Sequence, residues 1–257
     1  MSAVRVGIIL THPAGDSTNA YIYLSFKRWF EAAGATVVPI PPNISTAEAA
    51  AYFEYIHGLA LQPGWADQAD YARLISLFLS MAAEANRNDD YFPVWGICQG
   101  FQYILRNFGG ELEPINSLER TSVLHIQPDT SRLLRYPSDE QIRYLKHSYA
   151  PHFNHEFGIS LSNFMKNKSL RKAFRIISTS HDREGKEYVS MVEGVSLPFY
   201  GLQFHPELGK VRIQWMAAFF ISEMRKSGHT GFNPGLRYTL RKGICGRTRV
   251  PCLQIDL

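Results

Sequence analysis

Between Val4 and Asn107 the chain alternates short apolar runs with stretches of helical periodicity, and this alternation limits the fold more than any other feature. An apolar run of a few residues fits a buried strand, whereas apolar residues that recur every three or four positions fit a helix packed on one face. Strands that alternate with helices build a mostly parallel sheet, because the helix supplies the crossover between parallel strands. The pattern therefore predicts an α/β fold with a mostly parallel central sheet flanked by helices.

The individual elements are predicted from these runs and from the Gly and Pro residues that bound them. The predicted strands are Val4–Leu10, Thr36–Ile40, Gly58–Gln62, Tyr91–Ile97, Leu170–Ile177, Tyr188–Val192 and Phe199–Phe204. The predicted helices are Ala20–Ala33, Thr46–Tyr55, Ala66–Asn86, Gln99–Asn107 and Val211–Ser227. The turn Asp182–Gly185 is typical of a hairpin. From about Ile115 to Phe157 the pattern weakens, and we expect excursions over the active-site face there.

The chain has 257 residues, 45% of them hydrophobic, which is enough for one large domain with a substantial core. It shows no internal repeat or linker, so residues 1–257 are predicted to form a single domain. The net charge is +4, and residues from about 235 to 257 are interpreted as a basic C-terminal extension in solvent. Its basic residues are Arg237, Arg241, Lys242, Arg247 and Arg249. Nucleic-acid arms carry denser charge, so a nucleic-acid partner is not expected.

The three cysteines, Cys98, Cys245 and Cys252, are too few for a disulfide scaffold. Cys245 and Cys252 could pair in an oxidising compartment, which would leave Cys98 as the unpaired thiol. No apolar run is long enough for a transmembrane helix, and the chain opens on a strand rather than a signal peptide. We therefore expect a cytoplasmic location. The alternative is a lysosomal, vacuolar or secreted protein whose N-terminus is truncated here.

Cys98 lies between Gly96 and Gly100, where a predicted strand meets a predicted helix. A sharp turn at that junction exposes its middle side chain, and the flanking glycines leave room for the neighbouring backbone. The helix N-terminus favours the thiolate, and the backbone N–H of Gln99 would point toward an oxyanion on the attacked carbonyl. Cys98 is thus a candidate nucleophile. The alternative is a buried core cysteine beside glycines that only ease packing.

His205 and Glu207 follow the last predicted strand with Pro206 between them. Residues two apart on an extended chain point the same way, so the carboxylate can hold one ring nitrogen and leave the other for proton transfer. The alternative is a structural histidine at the end of a strand. Zinc sites usually combine local pairs of ligands, and no second pair completes one with His152 and His155. No metal or other cofactor is expected.

Several of these segments resemble the class I glutamine amidotransferase-like fold, a flavodoxin-like three-layer sandwich. The similarity is greatest to the γ-glutamyl hydrolases, peptidase family C26, and runs from about residue 4 to 230. Tyr91–Phe101 is similar to their nucleophile segment almost residue for residue. The other similar segments are Tyr21–Ser25, Glu31–Pro39, Asn154–Ser160 and Pro198–Glu207.

The resemblance implies a cysteine-dependent cleavage of γ-glutamyl amides. Cys98 would attack the amide carbonyl, and His205, oriented by Glu207, would protonate the leaving amine. Water would then hydrolyse a glutamyl thioester. The implied substrate is a small molecule, folyl or antifolyl poly-γ-glutamate. Family members are often homodimers, so a homodimer is possible here.

The resemblance also implies which residues hold the substrate and the oxyanion. The oxyanion donors would come from Gly64, Trp65 and Gln99. The glutamyl group would be held by Tyr21, Gln102 and His155.

Two departures from the family pattern bear on function. Relatives usually carry Pro-Gly-Gly where this chain has Pro63-Gly64-Trp65, and Trp tolerates φ > 0 and close backbone approach poorly. The connection Leu208–Lys210 after Glu207 is also shorter than in many relatives. The alternatives to a folate polyglutamate hydrolase are therefore a γ-glutamyl amide hydrolase or glutaminase with another substrate, and a catalytically impaired binding protein of the same fold.

Overall fold

The computed structural model describes residues 3–127, 131–147, 151–208, 213–235, 238–247 and 249–257. Its strands are β1 (Val4–Ile9), β2 (Asn19–Tyr23), β3 (Ala35–Ile40), β4 (Gly58–Leu61), β5 (Val94–Ile97), β6 (Glu113–Thr121), β7 (His125–Ile126), β8 (His152–Gly158), β9 (Phe174–His181), β10 (Glu187–Gly194), β11 (Phe199–Leu202), β12 (Arg241–Cys245) and β13 (Val250–Asp256). Its α-helices are α1 (Leu24–Ala32), α2 (Thr46–Tyr55), α3 (Ala69–Arg87), α4 (Gln99–Asn107), α5 (Asp139–His147), α6 (Leu161–Lys166), α7 (Lys168–Ala173) and α8 (Trp215–Met224).

By its internal contacts the chain divides into two compact units, and the boundary falls inside β5. The first unit comprises Met1–Trp95 and Phe220–Leu257, and the second comprises Gly96–Phe219. The prediction of a single domain over residues 1–257 stays a prediction.

The first unit carries the parallel part of the predicted sheet, in the order β3-β1-β4-β5. β1 pairs in parallel with both β3 and β4, and its side chains are buried except for Arg5. The strands are short and almost wholly apolar, as expected where both faces of a parallel sheet are covered. Strands alternate with α1, α2 and α3, which confirms the α/β class.

The predicted helix Ala20–Ala33 is wrong over its first residues. Asn19–Tyr23 forms β2 instead, and α1 begins only at Leu24. The Tyr-Ile-Tyr run favours an extended backbone, and β2 finds its partner in β13, more than 200 residues further along the chain. Because this pairing is non-local, the spacing of apolar residues between positions 20 and 33 cannot reveal it.

The C-terminal residues, expected to be solvated, instead form the antiparallel pair β12–β13, which adds to β2 as a three-stranded sheet. Cys252 and Ile255 of β13 are buried, and Cys245 forms a disulfide with Cys252. The basic residues masked this strand pattern, since they occupy its exposed positions. Arg237 lies outside the described residues.

The second unit carries the antiparallel strands β11-β10-β9-β7. The predicted hairpin turn at Asp182–Gly185 is confirmed, since β9 and β10 pair directly across it. The predicted strand Leu170–Ile177 is wrong at its start, because residues up to Ala173 close helix α7. Asn167 caps that helix by accepting a hydrogen bond from the Leu170 N–H at 3.0 Å.

The weakly patterned stretch from about Ile115 contains β6 and β8, which pair antiparallel with register shifts at two places. Such bulges bend a strand and re-aim its side chains. Glu119, in one of these bulges, has a φ of 43°. The start of the predicted final helix and the connection after Leu208 include residues 209–212, which lie outside the described residues.

Candidate active site

Cys98 sits in a strained turn between β5 and α4. It is the residue before the first turn of α4, with φ 51° and ψ −107°, a conformation that is uncommon for a residue with a side chain. Its N–H donates to the Leu202 carbonyl at 2.7 Å, which ties the turn to β11. A Cβ on Gly96 would come within 2.8 Å of the Gly100 backbone. The turn therefore requires glycine at position 96, as the sequence pattern predicted.

The expectation that the turn exposes the Cys98 side chain is wrong, because Cys98 is only 5% exposed. Its Sγ lies 3.9 Å from the carbonyl oxygen of Asn154 in β8. The other two cysteines of the chain form the disulfide, so Cys98 is the free thiol. Burial alone would also fit a core cysteine. The strained backbone and the histidine beside the thiol favour a nucleophile, because strain is retained where the surrounding structure enforces it.

His205 and Glu207 form a buried pair. The Nδ1 of His205 donates to the Oε1 of Glu207 at 2.8 Å, and the two side chains are 9% and 2% exposed. The His205 N–H donates to the His152 carbonyl at 2.8 Å. Glu207 lies in a 3₁₀ turn, Pro206–Leu208, rather than on the extended chain that the sequence predicted. The turn still brings the carboxylate to the ring, because Pro206 bends the chain directly after His205.

The electrostatic surroundings of His205 favour the imidazolium. Burial by itself would lower its pKa, but the Glu207 carboxylate and a Cys98 thiolate raise the pKa to about 10. Its Nδ1 is committed to Glu207, and a side-chain hydrogen bond with Cys98 also favours the charged ring. At neutral pH the ring therefore holds a proton on Nε2 that it can give to a leaving group.

His155 is a neutral histidine in β8, 1% exposed. Its Nδ1 donates to the Phe157 carbonyl at 3.0 Å, and its ring lies edge-on to Phe153 and Tyr188. Burial lowers its pKa to about 3, and the charge on His205 acts in the same direction. Within the described part of the chain its Nε2 is buried without a protein partner, so it offers one acceptor to a ligand.

Gln102 lies on α4, one turn after Cys98, and converges with His155 on one carbonyl. Its Nε2 donates to the Phe157 oxygen at 2.7 Å and lies 3.4 Å from the Oε1 of Gln203. Gln99 is the first residue of α4. The second unit thus brings together six of the predicted site residues: Cys98, Gln99, Gln102, His155, His205 and Glu207.

The remaining predicted site residues, Tyr21, Gly64 and Trp65, belong to the first unit. Tyr21 is buried, and its hydroxyl shares a 3.0 Å hydrogen bond with Tyr23. Gly64 and Trp65 are half-buried, and neither is among the described residues with a positive φ. The backbone at Trp65 therefore does not demand glycine. The oxyanion and substrate-binding roles of these three residues stay predictions.

The sequence missed His152 as a neighbour of the site. Its ring centroid lies 6.0 Å from that of His205, and its Nε2 lies 3.8 Å from the Oε2 of Glu119. Burial and the charge on His205 lower the pKa of His152. The sequence signal was its position in the same segment as His155. Among the described residues, no cluster of three or more His, Cys, Asp and Glu side chains is arranged to hold a metal ion.

Comparison with known proteins identifies the family. The family model described as Glutamine amidotransferase class-I matches residues 16–221. A γ-glutamyl hydrolase of Mus musculus is 32% identical over 252 residues, a match that covers 87% of this chain and 78% of the mouse protein. The chain belongs to the γ-glutamyl hydrolase family. A human γ-glutamyl hydrolase is 29% identical, over 81% of this chain and 72% of the human protein. The γ-glutamyl hydrolase 1 of Arabidopsis thaliana is also 29% identical, over 85% of this chain and 71% of the plant protein.

Solved structures show that this γ-glutamyl hydrolase family member has the predicted fold. The glutaminase domain of Trypanosoma brucei CTPS with bound acivicin matches at a TM-score of 0.63 and 16% identity, over 96% of this chain and 100% of that domain. A candidate GMP synthase component from Thermoplasma acidophilum matches at a TM-score of 0.60 and 17% identity, over 88% of this chain and 96% of that protein. The predicted class I glutamine amidotransferase-like fold is confirmed. Across the described residues, no helix has the length and apolar character needed to traverse a bilayer.

Proposed function

We propose that this chain hydrolyses γ-glutamyl amide bonds with Cys98 as the nucleophile. The observation that carries the proposal is the strained, free thiol at the start of α4 together with a histidine that Glu207 holds in its protonated form. A thiolate beside an imidazolium supplies both the nucleophile and the acid that amide cleavage needs. Membership of the γ-glutamyl hydrolase family supports the choice of bond.

In the first half-reaction the Cys98 sulfur forms a bond to the γ-carbonyl carbon of the substrate. The tetrahedral oxyanion would be held by backbone N–H groups, Gln99 among them. When the C–N bond breaks, His205 transfers its Nε2 proton to the leaving amine nitrogen. The products of this step are a free amine, a γ-glutamyl thioester on Cys98 and a neutral His205.

In the second half-reaction His205 acts as the base. Its Nε2 takes a proton from water, and the hydroxide oxygen attacks the thioester carbonyl. The carbon–sulfur bond breaks, which restores the Cys98 thiolate and the His205 imidazolium and releases a carboxylic acid. Glu207 keeps Nδ1 protonated throughout, since it accepts only that hydrogen bond from the ring.

His155 and Gln102 are proposed to hold the glutamyl group. A neutral His155 whose Nδ1 is committed to Phe157 offers Nε2 as an acceptor, and the amide N–H of a glutamyl residue in a poly-γ-glutamate is a donor that such an atom can accept from. Gln102 is anchored to the same carbonyl, so both side chains are fixed before substrate binds. Fixed side chains lose less entropy on binding.

The proposed substrate is a folyl or antifolyl poly-γ-glutamate, and this choice rests on the resemblance of the nucleophile segment to folate-processing members of the family. A γ-glutamyl amide of another amine, or glutamine, is the alternative. The other alternative is a catalytically impaired binding protein. The backbone φ at Trp65 is not positive, so the loop does not force Trp into a conformation that favours glycine, and this weakens that alternative.

The test is incubation of the protein with a pteroyl poly-γ-glutamate, with glutamine and with a γ-glutamyl amine, followed by chromatography of the products. Release of glutamate or short γ-glutamyl chains from the folate, absent in Cys98→Ala, supports the proposal. Turnover of only the other two substrates would mean that the protein acts on a γ-glutamyl substrate other than a folate polyglutamate. No turnover at all, with Cys98 unreactive toward iodoacetamide, would favour the binding protein. Ser162→Ala, at an exposed position, is the matched control.

For location, we propose an oxidising compartment rather than the cytoplasm. The Cys245–Cys252 disulfide is the support, since disulfides persist mainly in secreted proteins and in oxidising organelles. Blocking free thiols in the source cells before lysis and then mapping the cysteines by mass spectrometry tests it. Free thiols at both Cys245 and Cys252 would contradict this proposal and favour a cytoplasmic location. A homodimer is likewise proposed from the family resemblance, and light scattering of the purified protein tests it.

A further inference from the structure

The C-terminal hairpin, Arg241–Asp256, lies against the segment that carries the candidate oxyanion donors. The guanidinium carbon of Arg247, in the turn of this hairpin, lies 4.8 Å from the centroid of the Trp65 ring. Guanidinium groups stack on aromatic faces at this distance because the ring face is electron-rich. Trp65 is the residue that departs from the Pro-Gly-Gly pattern of the family, so the hairpin contacts this chain's departure from that pattern directly.

The same turn also supports the start of that segment. Gly246 packs so closely on Tyr23 that a Cβ at position 246 would come within 2.5 Å of the tyrosine hydroxyl oxygen. The Tyr23 N–H donates to the Oε1 of Gln62 at 3.1 Å. The Nε2 of Gln62 donates in turn to the carbonyls of Ile9 and Tyr21, both at 2.9 Å. Gln62 stands two residues before Gly64, so the hairpin turn contacts Trp65 directly and is linked to Gln62 through Tyr23.

The position of the turn is fixed covalently. The disulfide joins Cys245 and Cys252, whose Cα atoms are 5.8 Å apart, and Gly246 and Arg247 follow Cys245 directly. Cys252 is also the register partner of Tyr23 in the β13–β2 pair. The strand pairing and the cross-link therefore both hold the backbone that carries Arg247.

We infer that Arg247 is a positioning residue, which holds Trp65 and thereby the Gly64–Trp65 backbone in the conformation that the reaction uses. The inference rests on the proposed function, because the oxyanion role of this backbone comes from the family resemblance. Glycine at position 65 would need no such support. A large ring in its place needs a surface to pack on, and the disulfide-closed hairpin provides one.

The kinetic test compares Arg247→Ala and Arg247→Lys with Lys242→Ala, an exposed residue of the same hairpin that loses the same charge. A group that acts on transition-state donors changes kcat more than KM. We expect Arg247→Ala to lower kcat about three- to tenfold with KM changed less than about twofold. Arg247→Lys should recover part of kcat, since an ammonium also binds the ring face. Lys242→Ala should match the wild type.

A second readout does not depend on activity. The other three tryptophans, Trp29, Trp95 and Trp215, are buried, so acrylamide quenching of fluorescence reports mainly on half-exposed Trp65. Quenching should increase in Arg247→Ala and in the double variant Cys245→Ser/Cys252→Ser, but not in Lys242→Ala. Unchanged quenching in Arg247→Ala, or a kcat equal to that of Lys242→Ala, would overturn the inference. A wild-type protein without γ-glutamyl hydrolysis would instead overturn the proposed function, while quenching still decides the contact.

Discussion

Cys98 shows how much of the chemistry is set by one residue and its immediate neighbours. Its side chain leaves the backbone from a left-handed conformation, and the glycine at position 96 is what allows the turn to close. Both features are local, and the sequence predicted the sharp turn and the room that its glycines leave, while the left-handed conformation came from the structure. The charge of the histidine that serves Cys98 is only partly local, because it depends on Glu207 two residues away but also on burial and on Cys98, which folding brings beside it.

Glu207→Gln keeps the shape of the side chain and removes its charge. The pKa of His205 should then fall below about 10, because the carboxylate no longer stabilises the imidazolium. In a pH–rate profile of kcat/KM we expect the alkaline limb to move to lower pH and the maximum to drop about 10²-fold or more. Glu111→Gln, at an exposed position, is the control. An alkaline limb that stays in place would contradict the assigned pair.

His155 should make the fold sensitive to acid. Its folded pKa of about 3 lies below the usual value of 6.5, so between these values the unfolded chain binds a proton that the folded chain excludes. The free energy of unfolding therefore rises with pH in this window, with a slope of up to about 1.4 kcal/mol per pH unit from this group. His155→Gln should flatten that rise.

Denaturant unfolding of His155→Gln at several pH values between about 4 and 7, followed by circular dichroism, measures the change in slope. His147→Gln, at an exposed position on α5, should keep the slope of the wild type. Parallel curves for His155→Gln and the wild type would mean that His155 takes up its proton in the folded state.

At the scale of elements, α2 and α4 have the bounds that the sequence predicted, and α2 carries a local start signal in its side chains, whereas Cys98 makes no side-chain cap at the start of α4. Ser45 and Glu48 form a capping box at the start of α2, in which each side chain binds the backbone N–H of the other. A helix with such a signal is encoded within a few residues. β2 has no comparable local signal, which is why its residues were taken for the start of a helix.

Ser45→Ala should lower the free energy of unfolding by about 1 kcal/mol, because the N–H of Glu48 loses its acceptor at the helix start. Chemical denaturation measures this loss of unfolding free energy. The rate of γ-glutamyl hydrolysis should stay at the wild-type level. Thr46→Ala, the next residue and also exposed, serves as the control with a smaller effect. Equal losses in the two variants would show that the cap contributes nothing.

At the scale of the whole molecule, the net charge of +4 should attract a polyanionic substrate. Raising the salt concentration from about 0.05 M to about 0.5 M shortens the Debye length to a few ångströms. We expect KM for a poly-γ-glutamate to rise about threefold over this range, with kcat unchanged. KM for a γ-glutamyl amide with an uncharged leaving group should change less. Equal salt dependence for both substrates would exclude long-range attraction.

By itself the sequence determined the α/β class, the bounds of α2 and α4, the glycine-flanked thiol and the partnership of His205 with Glu207. Each of these depends on side-chain spacing or backbone sterics within a few residues. The tertiary structure decided the rest: the pairing of β2 with β13, the disulfide, the raised pKa of His205, and the meeting of Arg247 with Trp65. The strand pairing and the Arg247–Trp65 contact join residues far apart in sequence, which no local pattern encodes. The disulfide and the pKa of His205 involve nearer residues, but they depend on the burial and placement that only the folded chain provides.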